Sequence, residues 1–135
     1  MSLEVTLIYT ILLIVFLLIL TIRVLDLRGS PVTKFLHAPD RVVNPETLER
    51  AIRAHGNLIE YAPLFLLLLL LAEINQLNAV ILHLSGASFL LGRLMHGIGF
   101  GFLSHSPIMR IGGMALTFLG FIILLLTTAS QLLGV

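Results

Sequence analysis

The chain has no cysteine, which excludes disulfides and thiolate metal sites. Charge is scarce as well: Lys, Arg, Asp and Glu together make up only 11% of the 135 residues. Soluble domains carry about 25%. Net charge is only +1, so no nucleic-acid partner is expected. No internal repeat is present, and no pair of histidines has the spacing of a metal site, so no metal is expected either. Lys and Arg are missing from both termini and from the stretch around Glu73–Asn78.

Apolar residues fill the space that charge leaves. They make up 58% of the chain, and mean hydropathy is +1.07. Val5 to Ile22 is an unbroken run of 18 residues without a formal charge, close to the length that crosses a bilayer core. Glu4 precedes it, no basic residue does, and no small-residue cleavage pattern follows, so a span is expected rather than a signal peptide. Further apolar segments predict an all-α, integral membrane four-helix bundle. Its spans fall near 5–25, 48–72, 78–101 and 107–133, within one domain covering 1–135. Arg23, Arg28, Lys34, Arg41, Arg50 and Arg53 lie in or beside the first connection, and Arg93 and Arg110 flank the third. That bias predicts a multi-pass protein with connections one and three in the cytoplasm and both termini outside it.

The first connection, roughly Asp26 to Asn44, is the only long loop, and Gly29-Ser30-Pro31 and Pro39 break regular structure there. Asn44-Pro45-Glu46 reads as a helix start, with Asn as cap and Pro in the first turn. A helix from Pro45 to Ala72 would be about 42 Å long, putting Arg53 near the membrane boundary and Glu60 about 10 Å deeper. Pro63 predicts a local kink, since it removes a backbone donor. Ser106-Pro107 repeats the cap-then-Pro pattern, with Arg110 in the first turn of the last helix. A cation is unfavourable at that helix end on its own. An anion bound there would meet backbone N–H groups and a guanidinium together.

Arg50, Arg53, Asn57, Glu60 and Tyr61 share one helical face, and His55 points away from it. Ionisable side chains at membrane depth cost roughly 2.5–3.5 kcal/mol each on insertion scales. They persist only with partners or a polar ligand. Arg93, His96 and Phe100 line one face of the third span, together with Gly86 and Gly97, which would let another helix approach. Arg28, Arg93, His96 and Arg110 belong with the second-span face at the cytoplasmic ends. Cations outnumber carboxylates there, which favours an anion carrying its own ammonium to meet Glu60. The residues leave a second reading open: interhelical pairing of Arg53 and Glu60 that fixes bundle register. His83 is expected to pack or hydrogen bond, and His37 and His105 are loop histidines.

The stretch Glu49-Arg50-Ala51-Ile52-Arg53-Ala54-His55-Gly56-Asn57-Leu58-Ile59-Glu60-Tyr61-Ala62-Pro63-Leu64-Phe65 closely resembles the signature of the MAPEG family, the membrane-associated proteins in eicosanoid and glutathione metabolism. Gly92-Arg93-Leu94-Met95-His96-Gly97-Ile98-Gly99-Phe100 resembles the third-span motif of its small bacterial members, related to microsomal glutathione S-transferases. The resemblance implies a homotrimer in the bacterial inner membrane, with glutathione as co-substrate at each subunit interface. Carried over by position, Arg53, Asn57, Glu60, Tyr61 and His96 would hold the tripeptide. Arg93 would bind one of its carboxylates, Arg28 would contribute from the end of the first span, and Arg110 would stabilise the thiolate. His96 and Phe100 stand where the eicosanoid branch has tyrosines, and His55 where it has Gln, so leukotriene synthesis is not implied.

The function implied is a glutathione transferase, or a peroxidase, acting on lipophilic molecules that arrive from the bilayer. The alternative is a non-catalytic lipid- or thiol-binding membrane scaffold, which would keep the Arg53/Asn57/Glu60 face but form no thiolate. A transporter or proton relay fits less well, because the polar residues cluster at one membrane side rather than forming a path across.

Overall fold

Asn44 shows how local chemistry starts a helix in this chain. Its Oδ1 accepts from the Glu46 N–H at 2.9 Å, and Pro45 takes the first helical position, where no N–H is needed. The computed structural model describes residues 3–135. Among these it contains four α-helices: α1 Glu4–Leu27, α2 Pro45–Ile74, α3 Ala79–Gly101 and α4 Pro107–Leu133. Each is long and apolar enough to cross a membrane. They pack as the all-α bundle expected from the sequence, and no strand occurs among the described residues. α2 continues as helix through Pro63 without a break.

α3 and α4 share the most extensive contact, and glycine makes it close. A Cβ on Gly92 would lie 2.6 Å from the Gly113 carbonyl oxygen, and one on Gly120 would lie 2.8 Å from that of Ser85. These helices touch backbone to backbone, as small residues permit in membrane bundles. Gly86 and Gly97 do admit another helix, and that helix is α1 of the same chain. The Tyr9 ring occupies the space beside Gly86, and the Phe16 ring the space beside Gly97. They therefore lend no support to assembly of several copies.

The middle of the bundle is aromatic. Phe65 of α2 stacks on Phe89 of α3 with centroids 3.9 Å apart, and Phe121 of α4 meets both edge-on. At one end of the bundle Glu73 caps α1 from outside. Its two carboxylate oxygens accept from the Val5 and Thr6 N–H groups at 2.9 and 2.7 Å. Among the described residues α1 has no side-chain cap of its own, and the end of α2 satisfies donors at its start. Tyr9 donates to the His83 carbonyl at 3.0 Å, and its oxygen lies 3.2 Å from His83 Nδ1. This is the hydrogen-bonding role expected of His83.

The first connection is more ordered than its turn residues suggest. Pro31–Leu36 forms a short 3-10 helix, started by Pro31, with Thr33 Oγ1 donating to the Ser30 carbonyl at 3.1 Å. Asp26, buried at the end of α1, pins the remainder. Its carboxylate takes His37 Nδ1 at 2.7 Å and Arg41 Nη1 at 2.8 Å, and Arg41 Nη2 donates to its backbone carbonyl. His37 is thus a structural ligand of the loop.

Candidate functional site

Asn57, Tyr61 and Phe65 follow one another at four-residue steps along α2, so they stack on one helical face. Phe65 belongs to the aromatic core. One turn above it the Tyr61 ring faces Arg93 of α3, whose guanidinium carbon lies 5.0 Å from the ring centroid. One turn higher, Asn57 Oδ1 accepts from Arg93 Nη1. Arg93 is 2% exposed, yet each of its three nitrogens has a partner within the chain. Nε and Nη2 donate to Thr117 Oγ1 at 2.9 and 2.6 Å, and Nη2 also lies 3.2 Å from Met114 Sδ. Burying this cation is tolerable because it is so well partnered.

An arginine can only donate, so the Asn57 atom facing it must be the oxygen. The Asn57 amide N–H groups are left for the space beyond. That space is a groove of about 420 Å³ between α2 and α3, within the range of small-molecule sites. Asn57, Arg53, Glu60 and Gly56 line one wall, and His96 and Phe100 line the other. Glu60 sits at the midpoint of α2, is exposed, and makes no ion pair among the described residues. Among the described residues Arg53 reaches only Glu49, at 2.6 Å, and both side chains remain largely in the open. A surface pair of this kind contributes about 0.3–0.5 kcal/mol and leaves Arg53 free to exchange partners.

The other expected site residues divide. His96 is buried, its ring 4.8 Å from that of Phe100. Phe100 also carries two arginines: Arg110 of α4, with its guanidinium carbon 4.6 Å from the ring centroid, and Arg50 of α2 at 5.5 Å. Arg110 therefore stands at the groove's edge, exposed, in the first turn of α4. Ser106 precedes that turn but makes no side-chain cap hydrogen bond, which differs from the expected capping. Arg50 has a second task. It donates to the carbonyls of Gly99 and Leu103 at 2.9 and 2.7 Å, and Arg23 donates to that of Gly101 at 3.2 Å. Two arginines thus cap the end of α3, where carbonyls lack helical partners.

Within one chain, Arg28 is not brought to the groove. It lines a separate hollow of about 180 Å³ with Thr21, Leu25, Ile52 and His55. His55 Nε2 lies 3.1 Å from Thr21 Oγ1 there. His55 does point away from the polar face, as its position on the helical wheel requires. Sequence reasoning missed Thr117, the principal partner of Arg93. A lone threonine four residues after Gly113 gives no pattern; the helix it lies on and the close approach at Gly92 bring it there.

Comparison with known proteins bears on this arrangement. The inner membrane protein YecN of Escherichia coli strain K12 is 45% identical over 53 residues, a stretch covering 39% of this chain and 40% of that protein. YecN of Escherichia coli O6:H1 matches to the same extent. The matched stretch is thus well under half the length of these relatives. No solved structure matches. The model of the MAPEG family matches residues 6–130, which takes in all four helices and every wall of the groove, and the chain belongs to that family.

Proposed function

We propose that the chain is a glutathione-binding membrane protein, acting as a glutathione transferase on hydrophobic electrophiles. The observation that carries this reading is the α2–α3 groove. It combines an unpaired carboxylate, a loosely held guanidinium and a pre-oriented amide at membrane depth. Such groups are costly there unless something completes them. Glutathione offers two carboxylates for Arg53 and the Asn57 amide, and an ammonium for Glu60. Tyr61 and His96 border the same space. Arg93 acts by fixing Asn57 and the Tyr61 ring rather than by meeting solvent-borne ligand directly.

The tripeptide supplies a nucleophilic thiol. A thiol of reference pKa about 8.5 is mostly protonated at neutral pH, and moving it down two units takes about 2.7 kcal/mol. Arg110, beside the open N–H groups of the first turn of α4, favours the thiolate. The thiolate then attacks an electrophilic carbon of an acceptor that partitions from the lipid. The new C–S bond either displaces a leaving group, which departs as an anion with its bonding pair, or breaks the π bond of an activated alkene, whose carbanion takes a proton from water. Arg28 can reach such a groove only from another copy, so we place the complete site between copies of a homotrimer. The shared stretch with YecN supports a bacterial inner membrane location, and the Lys/Arg distribution supports termini outside the cytoplasm.

A second reading is a lipid- or thiol-binding scaffold without chemistry. It is favoured by Arg93, whose nitrogens are all used inside the chain, so part of the polar cluster serves the fold. An ultraviolet difference spectrum of purified protein with added glutathione separates the two. A thiolate band supports the transferase. Calorimetric binding of glutathione without that band supports the thiol-binding scaffold, and no binding removes both the transferase and the thiol-binding scaffold.

A further inference from the structure

The loop after α1 is pinned in place yet turns its apolar side chains outward. Val32 is 73% exposed and Phe35 83%, and Leu36 is half exposed. A connection bathed in water gains nothing from such residues, and they are not loose: Asp26 holds the segment through His37 and Arg41. The short helix also folds back along α1. Leu36 shares a cleft of about 330 Å³ with Ile19, Ile22, Arg23, Asp26 and Phe102. Ile19 lies eight residues before the end of α1, about 12 Å down the helix. The cleft therefore continues onto the exposed apolar face of α1.

Charge above the cleft matches a phospholipid. Arg23 borders it with 26% of its side chain exposed, held by the Gly101 carbonyl and 4.0 Å from Asp26. Lys34 is exposed between Val32 and Phe35 without an ion-pair partner among the described residues. Cations at the bilayer surface meet lipid phosphates, and apolar side chains beside them enter the acyl boundary. We propose that the Pro31–Leu36 segment is a membrane-surface anchor. It seats a phospholipid with its phosphate near Arg23 and Lys34 and an acyl chain in the cleft beneath Leu36. This anchor lies on the side of α1 opposite the Arg28 hollow and does not depend on glutathione binding.

The chain contains no tryptophan, so one introduced residue reports alone. The full-length Phe35→Trp variant, and separately Val32→Trp, should be placed in bilayer nanodiscs. Lipids brominated near the top of the acyl chain should remove most of the emission, deep-brominated lipids less, and the emission should be blue-shifted. An Asp40→Trp variant should be quenched by aqueous iodide instead. Lys34→Glu added to Phe35→Trp should reduce the bromolipid quenching. If both reporters resist bromolipid and respond to iodide, the segment faces water and the proposal fails. If they resist both quenchers, protein covers the segment, a second copy being the first suspect, and the proposal fails equally.

Discussion

Arg93 donates to Asn57 across the α2–α3 contact, so a buried cation sets the direction of an amide that borders the groove. The same guanidinium is held by Thr117 of α4, which links three helices through one side chain. Asn57→Ala strands one arm of a buried guanidinium. It should lower stability by about 1–3 kcal/mol. Arg93→Leu should do the same, and the double variant should lose less than the sum of the two. Thermal melts followed by loss of the folded protein's peak on size exclusion check this.

Arg53 separates binding from folding. Its only partner among the described residues is Glu49, on the outside of the same helix. Arg53→Leu should change stability by less than about 0.5 kcal/mol. Its glutathione affinity should nonetheless fall more than tenfold, since a charged contact in a partly dehydrated site exceeds about 1.4 kcal/mol. Calorimetry on Arg53→Leu and wild type decides it, with Glu49→Gln as the control that keeps its affinity. Equal affinity in Arg53→Leu and wild type would remove Arg53 from the site.

Arg110 should act on ionisation rather than on binding. Arg110→Ala is expected to keep most glutathione affinity while the bound thiol pKa rises. A raised thiol pKa means less thiolate at neutral pH, so turnover falls there and recovers as pH climbs through the new value. The comparison is rate against pH with a model hydrophobic electrophile. Superimposable profiles would make Arg110 a structural or lipid-headgroup arginine.

Asp26 should govern the first loop. Asp26→Ala removes the acceptor for both His37 and Arg41. Opening of the segment should become at least about tenfold more frequent, equivalent to about 1.4 kcal/mol of local stability. Limited trypsin digestion after Lys34 and Arg41 measures this. The helices should stay resistant over the same time.

The expected topology has its own check. A reporter fused after Val135 that works only outside the cytoplasm should be active, and a cytoplasm-only reporter should be silent. The opposite result would invert the orientation inferred from the basic residues.

Much of the fold was legible because membrane helices announce themselves by length and by the absence of charge. The start of α2 could be placed to the residue, since Asn44 and Pro45 satisfy a known local geometry. The polar face of α2 was legible for the same reason: Arg53, Asn57 and Glu60 are conspicuous among leucines. What pairs with what was not legible. Arg50 and Arg53 look alike in sequence, yet one caps α3 and the other stands open, because only the relative rotation of α2 and α3 decides which carbonyls lie within reach. Asp26 was overlooked as a loop organiser, since its partners His37 and Arg41 follow at spacings that belong to no regular element.

At Gly92, Gly113 and Gly120 no side chain separates α3 from α4. Sliding of packed helices repacks the side chains between them, and at these three points backbone meets backbone instead. The two helices therefore form one stiff plank, with His96, Phe100 and Arg110 riding on it as a fixed template. Widening of the groove for a bulky lipophilic molecule has to come from the other side, by tilting of α2. Breathing of this bundle is asymmetric: one wall is the anvil, and Arg53, Asn57 and Glu60 ride on the wall that moves.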